Sequence, residues 1–203
     1  MNNKFRVLEL SGGNFLSIDD AVDVSDLEVV IRGVGNSIKI GRGCVLSKMS
    51  ILIESDGNSI HLSENVRFSG KIIMKISSGN SLKIGSRTTI GGVNIICGES
   101  TAIKIGRDCM LSWGLEIRST DSHAIYDIES NCRVNPAENI DVGDDVWVGA
   151  RAMIVKGARI GNGCVVGMGS LVSNGGELEN CVYAGVPARV VRKGVRWERK
   201  LLG

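Results

Sequence analysis

The sequence predicts an all-β fold, a parallel β-helix of hexapeptide repeats, and three observations carry that prediction. From Val142 onward an aliphatic residue returns every six positions, at Val142, Val148, Ile154, Ile160, Val166 and Val172. Upstream a signature recurs as NSIKIG from Asn36, NSIHLS from Asn58, NSLKIG from Asn80 and TAIKIG from Thr101, at spacings of 22, 22 and 21 residues. Glycine reaches 27 residues while aromatic types make up 4%, which suits tight corners around an aliphatic interior.

A helical period of 3.6 would scatter positions six apart around the helix. Three strands of one hexad each instead return the chain to its start after eighteen residues, so successive coils stack and pair through parallel ladders. Each coil then buries the face its neighbour leaves open. Four residues into the hexads stand Val146, Ala152, Ala158, Cys164 and Ser170, small or β-branched side chains that fit inside a coil.

Taken in order, residues 1–35 read as an irregular first coil capping the stack, because only Leu27, Val29 and Ile31 alternate there. Residues 36–120 read as elongated coils, each with a few extra corner residues. From 121 to 139 the chain runs DSHAIYDIESNCRVNPAEN and breaks the hexad, which marks an inserted loop. Regular coils fill 140–175, and 176–203 form a C-terminal segment whose basic KGVRWERKLL is a short helix or tail. With 203 residues and 43% hydrophobic types, the whole reads as one domain with a substantial core.

Formal net charge is +2, from 24 basic and 22 acidic residues, so composition gives no global argument for nucleic acid or an acidic membrane surface. No apolar stretch approaches the roughly 20 residues that span a bilayer, and MNNKFRVLELSGGN lacks the apolar run of a signal peptide. The expected compartment is the cytoplasm, where the six cysteines stay free thiols. Cys44, Cys109 and Cys164 each follow a hexad aliphatic by four residues, an interior position that suits a small thiol.

The chain has two histidines. His61 occupies the position held by Lys in the other NSIKIG-type copies, an outward, solvated place. His123 lies in the inserted loop, and loops thrown from a rigid scaffold are where function concentrates. An imidazole suits proton removal near neutral pH. Asp121 stands two residues before it; in an extended segment both side chains face one way, so Asp121 either orients the imidazole or caps a turn.

The segments VGDDVWVGARAMIVKGARIGNGCVVGMGSLV and AGVPARVVR resemble the left-handed β-helix acyltransferases, in particular bacterial polysaccharide and sugar O-acetyltransferases. The resemblance is good from Ile84 to about Arg192, while the first eighty residues match only as repeat. It implies the left hand of the helix, which crossover rules alone would not favour. It also implies acetyl transfer from acetyl-CoA to a hydroxyl of a sugar or glycan acceptor, with His123 as general base, no metal and a homotrimer whose clefts lie between subunits. Carried over residue by residue, the N–H of Ala150 after Trp147, Val148 and Gly149 is the oxyanion donor. Trp147 lines the acceptor or thioester cleft, or is a plain coil-surface aromatic. Asn94 contacts the acceptor or simply ladders between coils. Gly149, Gly167 and Met168 match the pantetheine groove, and Arg189 and Arg192 the nucleotide phosphates.

An N-acetyltransferase acting on a nucleotide-linked amino sugar differs only in the acceptor pocket and is the runner-up. A zinc hydratase of the same fold requires three histidine ligands, and this chain has two histidines. Antifreeze or adhesin β-helices need threonine ladders or export, and neither is present in the sequence.

Overall fold

A computed structural model of the chain describes residues 4–9, 11–173 and 178–201. The described strands form two sheets, one of 7 strands and one of 14, parallel throughout except for the last two strands of the larger. They wrap a single column of coils with three faces. Face I is the 7-stranded sheet, containing Phe15–Ile18, Ser37–Ile40, Ser59–Leu62, Ser81–Ile84, Ala102–Ile105, Ile140–Val142 and Arg159–Ile160. Faces II and III share the larger sheet. In the early coils one long strand, such as Val45–Ile53 or Thr89–Gly98, bends across both. In later coils they separate, with Met110–Leu111, Trp147–Val148 and Val165–Val166 on face II, and Leu115–Arg118, Met153–Val155 and Leu171–Val172 on face III.

Register shows why the hexad produces this shape. On face II, Leu46, Phe68, Ile90, Leu111, Val148 and Val166 are successive partners, and all are buried. Beside them the small interior positions stack as Cys44, Val66, Thr88, Cys109, Val146, Cys164 and Cys181, again all buried. Burial pushes the Cys109 thiol up to about 11, so these interior sulfurs are packing groups. Among the described residues Cys132 is the exposed cysteine. A thiol reagent should therefore modify one site per native chain, mapping to Cys132, and six after denaturation. Fast labelling of Cys109 in the native state would contradict the coil packing.

The NSIKIG-type repeats build a second internal ladder. The side-chain oxygen of Asn14 accepts from the backbone N–H and side-chain amide of Asn36, at 2.9 and 3.0 Å. Asn36 does the same for Asn58, and Asn58 for Asn80. Thr101 takes the next place and turns its hydroxyl to Gly98 O and Ser119 Oγ, which leaves Asn80 Oδ1 without a partner. Where coils bend tightly, Gly70 adopts φ +134° and a Cβ there would lie 2.1 Å from Val93 O.

One expectation changes. Residues 4–9 and 11–35 are not an irregular cap: Lys4–Glu9 pairs with Asp26–Ile31 and Phe15–Ile18 with Ser37–Ile40, both 22 residues apart, as in the following coils. The N-terminal strands carry few signature residues, yet pairing with the next coil sets their register. At the other end the described residues contain no helix. Cys181–Gly185 and Ala188–Lys193 form an antiparallel hairpin, and the chain then runs back along the stack as a tail. Trp197 donates to Asp145 O at 2.7 Å and packs on Trp147 with ring centroids 6.1 Å apart. Arg199 bonds Thr89 Oγ1 and the carbonyls of Asp108 and Cys109. These contacts hold the basic tail against the stack. The expected boundary near 175 and the last residues of the tail lie outside the described residues. No helix of the described residues is long and apolar enough to cross a membrane.

Candidate active site

The loop emerges from the corner between faces III and I. Ile103 pairs with Ile140, 37 residues on, whereas Val142 pairs with Ile160 only 18 on. The surplus of 19 residues is the length of 121–139. The coil thus closes as though the loop were absent, and the loop projects from an uninterrupted scaffold.

A clamp at its base fixes its course. Glu99, on the preceding coil, accepts from Arg133 Nη1 at 2.5 Å and from the hydroxyl of Thr120. Arg133 beside it holds the Glu99 carboxyl below the usual carboxylate range. Lys156, from a coil above, meets Asp121 Oδ2 at 2.6 Å and depresses that carboxyl in the same way. Both carboxylates are therefore charged at neutral pH. Beyond the clamp the loop turns back on itself, with an antiparallel bridge between Tyr126 and Arg133 and Asp127 Oδ1 accepting from Ser130.

At the centre is Asn135, a buried side chain among exposed ones. Its amide donates to the backbone oxygen of His123 and to Asp121 Oδ2, both at 2.8 Å. Its oxygen accepts from Ile125 N–H at 2.6 Å. His123 is exposed, with its peptide held on one side by Asn135. Among the described residues the carboxylate of Asp121 is bonded to Lys156 and Asn135, so it is tied to the His123 peptide through Asn135. Replacing Asn135 with alanine should lower kcat by about 10- to 100-fold, the usual cost of misplacing a reacting group by an ångström or so. The thermal midpoint should barely move, since no coil contact is lost. Unchanged kcat would show that the loop holds His123 without it.

The other sequence candidates lie at a different corner, between faces II and III. Trp147 is outward on face II and half covered by Trp197. Ala150 follows at the turn, and among the described residues its N–H has no protein acceptor. Trp113 and Arg151 stack at the same corner, with the guanidinium 5.0 Å from the ring centroid, and Met168 is exposed there. Beside Trp147 the outward places on successive coils are Ser112, Gly149, Gly167 and Ala184, a column of small residues. A Cβ on Gly149 would lie 2.7 Å from Met168 N, so successive coils close over this buried glycine and the trough is a narrow line of small residues. Arg189 and Arg192 lie exposed on the terminal hairpin above it. Asn94 lies outward on face III, where its amide donates to both carboxylate oxygens of Glu116, at 3.1 and 2.9 Å, as a ladder residue does.

One chain therefore gathers Trp147, Ala150, Gly149, Gly167 and Met168 along one edge and presents His123 and Asp121 at another. Sequence reasoning missed Glu99, Arg133, Asn135, Lys156, Trp197 and Arg199. The arginine and asparagine of NCRVNPAEN were visible as polar loop residues, but nothing in the sequence paired them with the scaffold.

Comparison with known proteins agrees with this architecture. The family described as bacterial transferase hexapeptide (six repeats) matches residues 139–174, the regular coils. A polysialic acid O-acetyltransferase of Neisseria meningitidis is 40% identical over 116 residues, 57% of this chain and 54% of the relative. One from Escherichia coli O1:K1 is 38% identical over 115 residues, 57% of this chain and 37% of the relative. The aligned stretch thus spans about half or less of the curated relatives it matches. Solved structures extend the likeness. The polySia-specific acetyltransferase NeuO is 29% identical with a TM-score of 0.88, covering 96% of this chain and 89% of that one. The polysialic acid O-acetyltransferase OatWY is 31% identical with a TM-score of 0.91, covering 98% of this chain and 93% of that one. Similarity of that depth along nearly the whole stack shows that this chain belongs to the hexapeptide-repeat acyltransferase family.

Proposed function

We propose that the protein is an O-acetyltransferase that moves an acetyl group from acetyl-CoA to a hydroxyl of a polysaccharide, with a sialic acid polymer as the first acceptor to test. The observation that carries this reading is the clamped loop presenting His123 from a scaffold that matches OatWY over 98% of the chain. The relatives are polysialic acid O-acetyltransferases, which supports the same reaction and acceptor class here.

In this reading the His123 imidazole removes the proton of the acceptor hydroxyl as its oxygen attacks the thioester carbonyl. The new C–O bond forms, the C–S bond breaks and the leaving thiolate takes the proton back from the imidazolium. No covalent acyl-enzyme intervenes. The N–H of Ala150 is aimed at the transient oxyanion, a contribution of roughly 2.7–4 kcal/mol for one donor in measured cases. The column of small residues at Gly149 and Gly167, with Met168 beside it, accepts the pantetheine arm, and Arg189 and Arg192 take the phosphates. Trp147, stiffened by Trp197, forms one wall. Because the loop and this trough occupy different corners of one chain, the loop of one copy serves the trough of another, in a homotrimer. A reaction drawing on acetyl-CoA belongs in the cytoplasm.

The test is purified protein with acetyl-CoA and a panel of monosaccharides, nucleotide sugars and sialic acid polymers, followed by thiol release. The expected result is turnover with a polymeric acceptor and an acetyl group released by mild alkali, as an ester is. An alkali-resistant acetylated amine would overturn the reading.

A further inference from the structure

We propose that face I carries a binding track for the acceptor polysaccharide, an anionic glycan chain laid along Lys39, His61, Lys83 and Lys104. The inference rests on the O-acetyltransferase reading above and adds a site separate from the loop and the trough.

These four residues are direct register partners on consecutive coils. All four point outward from a sheet whose adjacent strands lie about 4.8 Å apart. Like charges directly opposite on neighbouring strands destabilise a sheet. Several outward ladders elsewhere alternate in sign instead. Arg6 lies opposite Glu28, Arg32 opposite Glu54, Arg87 opposite Asp108 and Arg107 opposite Asp144, each a cation on one coil and an anion on the next. On face I no such alternation is present from Lys39 to Lys104, and among the described residues none of the three lysines has an ion-pair partner. The parallel outward row beside it is uncharged, being Ser37, Ser59, Ser81 and Ala102. Burial, and then the charges of Lys39 and Lys83, lower the His61 pKa, so His61 is the uncharged member of the row and Lys83 and Lys104 are its directly opposed cations. A row of unpaired lysines confined to one face fits an anionic partner with charges at intervals.

One depression on this face is lined by Ser17, Lys39, Arg42 and His61 together with Asp19 and Glu64. A second is lined by Lys104 and Arg159 with Asp141, Asp144 and Glu179, and a third, at the base of the loop, by Arg159 with Glu99, Glu138 and Asp141. Both of these carry more acidic than basic side chains, so the basic row stops at Lys104. On face I charges alternate beyond the row, where Lys104 pairs in register with Asp141 and Asp141 with Arg159. The row therefore ends on the coil that precedes the return of the loop to face I at Ile140. Its length across three strand spacings is roughly 15 Å, more than one sugar unit covers. Carboxylates of the chain would meet the ammonium groups, and the serine row offers hydroxyls to its sugar oxygens.

The test compares the native chain with the triple variant Lys39→Ser, Lys83→Ser, Lys104→Ser. With a long sialic acid polymer KM should rise at least about tenfold with kcat unchanged, because the track binds ground and transition state alike. With a sialic acid dimer both constants should stay as in the native protein. The thermal midpoint should hold or rise, since a like-charge row has been removed. Binding of the polymer without acetyl-CoA should weaken in parallel and lose most of its salt dependence. An unchanged KM for the polymer, or an equal rise for polymer and dimer, would overturn the track. So would tighter binding of a single-stranded oligonucleotide than of the glycan at the same row. Should the native protein transfer acetyl to no acceptor, the O-acetyltransferase reading fails, while the binding arm still decides on the track.

Discussion

Replacing His123 with alanine is expected to lower kcat/KM by about 10²- to 10⁴-fold, the range a positioned general base contributes. The residue is exposed and its peptide contact to Asn135 uses the backbone oxygen, so the side chain can be removed without disturbing the clamp. The thermal midpoint and the Cys132 labelling rate should therefore match those of the native protein. The loss should fall on kcat more than on KM, because proton removal is needed only as the new bond forms. Full activity of His123→Ala would refute the mechanism whatever the acceptor proves to be.

The second large effect is structural. Phe68→Ala should destabilise the fold by about 3–5 kcal/mol, measured by thermal or denaturant unfolding at fixed protein concentration. Phe68 is 1% exposed and lies in the face II column between Leu46 and Ile90. Its neighbours are held in place by ladders to coils on both sides, so the cavity left by the ring cannot close by a local shift. Lys71→Ala, three residues away and outward, should change stability by less than about 0.5 kcal/mol. In a solenoid each coil contacts chiefly its neighbours. The deletion should therefore loosen the coils around Phe68 first, read as faster amide exchange in Val45–Ile53 and Thr89–Gly98, while the loop clamp between Glu99 and Arg133 persists. Equal losses for Phe68→Ala and Lys71→Ala would mean the interior column does not hold the stack together.

Much of this was legible because the repeat encodes pairing directly. An aliphatic residue at every sixth position forces the same side chain to the interior on every coil, so Val142 to Val172 determined the stacking without reference to anything distant. The gap in that pattern located the loop, and His123 stood out as its one imidazole. Other features left no periodic trace. Arg133 meets Glu99 across 34 residues, Lys156 meets Asp121 across 35, and Arg199 reaches Thr89 across 110. Each is a polar contact between a non-repeating segment and the scaffold, decided by where the backbone happens to pass. The N-terminal coil was misread for a related reason. Its strands have weak signatures of their own, and the register comes from the ladder offered by Asp26–Ile31 and Ser37–Ile40.

By itself the sequence determined a stack of three-sided coils, the place where a loop of 19 residues leaves it, and the imidazole that loop carries. Only the tertiary structure decided that Asn135 holds the His123 peptide, that Trp197 backs Trp147, that loop and trough occupy different corners, and that four basic residues align on one face. A repeating pattern is read locally because every coil obeys the same packing rule. A site assembled from the exceptions has to be read from where the coils bring those exceptions together.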